Sequence, residues 1–252
     1  MTIAILPEIS ALFALVFARV GALIMLLPGL GERVILSRAR LGVAVFVALM
    51  MVPLVRDRLV VPEAPEAVIG LLLSELMVGL AIGIAARILV GTLQTAGTII
   101  ANQLGLGFAM TVDPAGGAQN PSIANLLALL GAALVLTLDL HHIAIGAIHE
   151  SYRLLPPGGP LMIEDMMRLA IMTTAQSFSL AVQISAPFIV FGLLFNLGLG
   201  ILSRLMPQLQ VFFIAVPASI IIGMLVLFAT IGVMMNAYTD AIGQFLSQLM
   251  GR

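Results

Sequence analysis

Polar positions along this chain are sparse and bunched, and what lies between them is six apolar stretches, at about 9–27, 41–55, 67–101, 122–148, 163–202 and 211–236. A helix rising about 1.5 Å per residue needs about 20 apolar residues to cross a bilayer. The second stretch is short for that, and the third and fifth are far too long. Pro187 lies within the fifth and Pro217 near the start of the sixth. Each removes a backbone donor and is expected to kink or break its helix. Non-helical backbone at membrane depth survives only where protein or a water-filled cavity surrounds it. The pattern therefore predicts an all-α, polytopic membrane-type protein. Its long, Pro/Gly-broken helices suit an assembly better than plain lipid. One interruption stands apart, NQLGLGFAMTVDPAGGAQNP at 102–121. It carries no Lys or Arg and a single carboxylate, Asp113, yet keeps Leu104, Leu106, Phe108 and Met110. A loop of this length without structure of its own is usually functional or disordered.

Composition sharpens the class. Hydrophobic residues make up 61% of the 252 and charged residues 9%, against about 45–50% and about 25% in a soluble domain. Mean hydropathy is +1.19. No polar linker divides the chain, so 1–252 reads as a single domain. The net charge of −1 excludes nucleic acid, which needs a basic face. The absence of cysteine excludes disulfides and thiolate chemistry. The start, MTIAILPEIS, has no basic n-region or small-residue cleavage site, so no signal peptide is expected. With six alternating spans, one face receives Arg33, Arg38, Arg40 and Arg204, and the other Arg56, Arg58, Arg153 and Arg252. The positive-inside rule gives no orientation from that tie.

Candidate chemistry is thin. Gly79 and Gly83 sit one helical turn apart, with Ala86 and Gly91 further along, and suit close helix packing. Glu75 and Arg87 are costly inside the third stretch. Twelve residues of helix hold them about 18 Å apart. Each therefore needs a partner from another helix or chain, or a watery lumen, and both are candidate inter-subunit or lumen charges. His149-Glu150 does not complete the zinc-protease pattern. His142 and His149, with Asp139 and Glu150 nearby, fit a helix leaving the apolar layer, and no metal site is expected. The sequence GLGFAMT lacks the third glycine of a dinucleotide fingerprint, and no G-x-S-x-G occurs. No catalytic constellation or cofactor site results, so an enzyme is not expected.

Three blocks then carry a resemblance. ARVGALIMLLPGLGERVILSRARLGVAVFVALMMVPLV at 18–55, NQLGLGFAMTVDPAGGAQNPSIANLL at 102–127 and LGLGILSRLMPQLQVFFIAVPASIIIG at 197–223 resemble signatures of the FliR family of flagellar export proteins. They occur in that family's order, and Asp113, Pro114 and Gln119 are more similar to its flagellar than its virulence branch. The segment Leu138-Asp139-Leu140-His141-His142 is more polar than the family pattern. The resemblance implies an export-gate subunit of a type III secretion apparatus, in the bacterial inner membrane and the flagellar basal body. It implies partners that are FliP-like and FliQ-like, with an FlhB-like switch subunit, in a closed helical ring through which unfolded substrates pass. It also implies that the central loop is a plug. On that reading Leu106, Phe108 and Met110 exclude water from a resting pore, and Gly105, Gly107, Gly116 and Gly117 let the backbone fold back. Pro114 and Pro121 stiffen the base, and Gln119 lies between them. Pro187 and Pro217 then become bends that fit helices to a ring. A secondary transporter for a small solute, which also uses broken helices and buried charge, is the alternative, and an intramembrane metalloenzyme ranks below it.

Overall fold

A computed structural model describes residues 5–27, 36–106, 122–159, 163–206 and 211–250. Among the described residues there is no strand. The helices are α1 (Ile5–Leu26), α2 (Ser37–Val55), α3 (Pro65–Gln103), α4 (Ser122–Thr137), α5 (Leu140–Leu154), α6 (Ile163–Leu205) and α7 (Val211–Leu249), with a 3-10 turn at Arg56–Arg58. Five of them, α1, α2, α3, α6 and α7, are long and apolar enough to cross a membrane.

The helix ends follow local chemistry. Pro65 opens α3, where its missing N–H costs nothing, and Glu66 follows in the first turn. Glu164 and Asp165 sit in the first turn of α6 and Arg204 in its last, each on the favourable end of the helix dipole. α3 stops at a glycine. Gly105 has φ +76°, the Gly105 N–H donates to the Asn102 carbonyl at 3.1 Å, and the Leu106 N–H donates to the Ala101 carbonyl at 3.0 Å. That pair of bonds satisfies the last carbonyls of the helix and requires a left-handed residue, which glycine adopts without a Cβ penalty.

Of the kink or break expected at Pro187 and Pro217, the break is absent. Pro187 and Pro217 break nothing, for α6 and α7 run through them, as α2 runs through Pro53. A proline deletes one bond of the ladder, and the many intact turns on either side hold the helix together. The break falls instead in the fourth apolar stretch. α4 and α5 meet at a bend of 73°, and Asp139 between them takes φ 57° and ψ 18°.

The chain forms two compact units, one of residues 1–89, 132–175 and 241–252 and the other of 90–131 and 176–240. Their boundary falls inside helices, which is why no linker is visible in the sequence. In the first unit, Leu15, Val16, Val20, Leu23 and Ile24 form the buried face of α1, which packs on α2. In the second, Leu93, Ala96 and Ile100 make the buried stripe of α3 at a three-to-four-residue period, continued by Leu104 just past its end.

Candidate functional site

Two places concentrate the chemistry, one in each unit. The first is the root of the glycine-rich loop, in the second unit. Leu104, fully buried at the end of α3, packs against Gly223 of α7, and Gln103 packs against Gly192 of α6. No side chain larger than hydrogen fits at either glycine without displacing its neighbour. The Ser219 hydroxyl of α7 donates to the Leu104 carbonyl at 3.0 Å, satisfying a carbonyl exposed by the helix end. On the return side, Ile123 and Ala124 of α4 are buried, and the Ala124 backbone lies directly against Gly97 of α3. Gly97 and Leu104 are seven residues apart on one helix, or about 10 Å. The chain therefore leaves and rejoins the unit at a narrow neck on α3. Gly105 and Leu106 belong to that neck, Gly105 as the helix cap and Leu106 half-buried beside it. The other loop residues named from the sequence, Gly107, Phe108, Met110, Asp113, Pro114, Gly116, Gly117, Gln119 and Pro121, lie outside the described residues.

The second place is a buried ion pair in the first unit. Arg19 of α1 and Glu75 of α3 are 1% and 0% exposed, and their Nε and Oε2 atoms lie 2.7 Å apart. Arg19 Nη2 donates to Glu75 Oε1 at 2.9 Å, which completes the two-pronged match of guanidinium to carboxylate. Nη1 donates to the carbonyls of Ser151 at 3.0 Å and Leu155 at 2.9 Å. These are C-terminal carbonyls of α5, where a cation is favoured. The guanidinium carbon sits 4.2 Å from the centre of the Tyr152 ring, a cation–π contact. The Tyr152 hydroxyl in turn points at the Val16 carbonyl, 3.4 Å away.

This geometry revises the reading of Glu75 as an inter-subunit or lumen charge, because its partner is inside the chain. The two stand 56 positions apart in the chain, and only the crossing of α1 and α3 joins them. The crossing is close because Gly79 faces Arg19 and Ala22, and a Cβ there would lie 2.5 Å from the Arg19 carbonyl oxygen. Gly83 meets Ala22 and Leu26. Arg87 is half-buried on the same helix. Of the histidines, His142 is not grouped with His149. Among the described residues the group with ligand atoms close together is Asp139, His141 and His142, and Glu150 pairs with Arg153 at 2.6 Å.

Comparison with known proteins agrees over nearly the whole length. The profile of the bacterial export proteins, family 1, matches residues 10–245. The flagellar biosynthetic protein FliR of Caulobacter vibrioides is 41% identical over 234 residues, covering 92% of this chain and 93% of that protein. FliR of Escherichia coli is 31% identical, covering 81% and 78%. The surface presentation of antigens protein SpaR of Salmonella typhimurium is 30% identical, covering 80% and 76%. The chain belongs to the bacterial export proteins, family 1, the family of the flagellar FliR proteins.

Proposed function

We propose that the chain is an export-gate subunit of the flagellar type III secretion apparatus, held in the bacterial inner membrane. With FliP-like and FliQ-like subunits, and an FlhB-like switch subunit beside them, it forms the pore through which unfolded flagellar proteins leave. The observation that carries this is the match to FliR proteins over most of the chain, at 41% identity over 92% of it for one of them.

The helices support a partnered role. α6 has 43 residues, so it is about 65 Å long, and even tilted by 40° it spans about 50 Å against a hydrocarbon core of about 30 Å. Large apolar side chains are exposed from Met167, at 61%, to Leu205, at 73%. Lipid cannot cover that whole length, which leaves apolar surface for other subunits. The solute-transporter reading gains no support. The work assigned to the chain is passage and closure, with no catalytic step.

For the loop we assign a plug. Its narrow root favours this, because a segment fixed at both ends on one helix can yield to a passing polypeptide while the helices stay in place. Pro187 and Pro217, unbroken as they are, remain positions where α6 and α7 would take the curve of a ring. Native mass of the chain co-expressed with FliP-like and FliQ-like partners tests the assembly. One copy in a large hetero-oligomer is expected, whereas a monomer or homodimer indifferent to them would sink the reading. For the plug, deletion of 107–118, sparing the Gly105 cap, leaves assembly intact and makes the gate conduct ions. A deleted gate as tight as the parent would remove the sealing role.

A further inference from the structure

We infer that Asp139, His141 and His142, at the turn between α4 and α5, form a binding site for a borderline divalent transition-metal ion, Zn²⁺ above all. The inference does not depend on the export function.

The backbone sets the site up. Asp139 stands at the N-cap of α5, where an aspartate ordinarily accepts a hydrogen bond from the first turn. Its side chain makes no such bond. It takes instead a left-handed conformation, φ 57°, uncommon for a residue with a Cβ and often found at functional positions. The His142 N–H still donates to the Asp139 carbonyl at 3.0 Å, so the turn is closed by backbone and the carboxylate is left for other work. That carboxylate is turned to two imidazoles, with Asp139 Oδ1 3.3 Å from His142 Nδ1 and 4.0 Å from His141 Nε2. The two rings lie beside each other, tilted by 36° with 4.2 Å between centroids. All three ligand atoms lie within 4.8 Å of one another.

These spacings can be compared with what a metal asks. Ligands about 2.0–2.1 Å from a tetrahedral zinc stand about 3.3–3.4 Å apart. Of the three pairs, Asp139 with His142 is already at that separation, Asp139 with His141 is within an ångström of it, and the two imidazoles lie within 4.8 Å, so side-chain rotations complete the set. A plain carboxylate–imidazole contact would account for His142 alone. It leaves unexplained the second imidazole, whose Nε2 stands 4.0 Å from the same oxygen. Two imidazoles and one carboxylate suit zinc, copper, iron or nickel, whereas magnesium and calcium take all-oxygen sets. The helix dipoles do not oppose a cation, because the negative end of α4 and the positive end of α5 meet at this turn. Three protein ligands leave one tetrahedral position for water or for a group from elsewhere. The side chains are reachable, with Asp139 and His142 at 74% and 69% exposure.

The test is a calorimetric titration of Zn²⁺ into the full-length chain, purified in detergent without a polyhistidine tag, with Mg²⁺ as control. One Zn²⁺ per chain and no Mg²⁺ binding are expected. His141→Ala, His142→Ala and Asp139→Asn should each weaken Zn²⁺ by at least about tenfold, the lower bound for disturbing even outer-shell partners of a metal. His149→Ala should leave the affinity unchanged. The near-isosteric His141→Gln and His142→Gln, with helix content followed by circular dichroism, separate lost binding from lost fold. Absorption spectroscopy at the zinc edge should find nitrogen and oxygen neighbours at about 2.0–2.2 Å. An absence of saturable binding, equal binding by a His141→Gln, His142→Gln double variant, or equal loss in His149→Ala would each overturn the site.

Discussion

The same helix, α3, meets its neighbours in two different ways. In the first unit it is held by one charged knot, where Glu75 grips Arg19 and Arg19 in turn holds two carbonyls of α5. In the second unit it carries no charge at its contacts. There it relies on shape and neutral hydrogen bonds, with Gly97 against Ala124, Leu104 against Gly223 and Thr92 Oγ1 2.8 Å from Ser177 Oγ. The difference lies in how each contact fails. A buried ion pair concentrates its importance in two atoms groups that are ruinous to separate, because the survivor is a bare charge out of water. Glycine contacts share the load among several sites, none of which strands a charge when disturbed. The knot fixes which elements meet in one arrangement. The glycines set how closely they approach.

The largest effect should come from cutting the knot. Glu75→Ala leaves Arg19 buried and unpaired, and should destabilise the chain by about 3–5 kcal/mol, read as a lower unfolding temperature in detergent. Replacing both partners, Arg19→Met with Glu75→Leu, should recover most of that loss. A double variant as damaged as the single one would mean that the bonds to Ser151 and Leu155, rather than the ion pair, hold the first unit. Next is Gly97→Ala, whose methyl group meets the backbone of Ala124 and cannot push it aside. Overpacking of this kind costs about 1–3 kcal/mol, and a smaller loss would show that α3 and α4 separate easily. Gly105→Ala should cost about 1–2 kcal/mol, because it forces an L-residue into the left-handed cap. Chemical unfolding curves of that variant against the parent would show it. Ser219→Ala removes the hydrogen bond to the Leu104 carbonyl and should cost about 0.5–1.5 kcal/mol. At the bottom of the scale, Gly91→Ala meets nothing within 4 Å and should be neutral, or stabilising by about 0.5–1 kcal/mol through helix propensity. A clear loss there would erase the distinction between contact glycines and open ones on α3.

How far the sequence could be read follows the same division. The apolar stretches became helices at nearly the expected places, because span length and hydropathy act locally. Glu75 was visible as a costly group, but its partner was not, since Arg19 comes close only when α1 crosses α3. Gly79, Gly83 and Gly91 look alike in sequence. The structure sets the first two against α1 and leaves the third open, a difference that depends on the neighbouring helix rather than on spacing. Pro187 and Pro217 read as kinks or breaks, yet α6 and α7 are continuous there, and the break is at Asp139, whose left-handed backbone has no sequence marker as plain as a proline. The tight root of the loop was likewise hidden, because the approach of Gly97 to Ala124 links positions on either side of it.

A question of parity hangs on the 73° bend at Asp139. If α4 and α5 together make one crossing, the chain crosses six times, and segments before α1 and after α7 lie on the same face of the membrane. If the pair turns back, there are five crossings, and those segments lie on opposite faces. Re-entry also moves Arg153 to the face of Arg38 and Arg40, against Arg56, Arg58 and Arg204. A single polar turn thereby sets the address of everything that follows it.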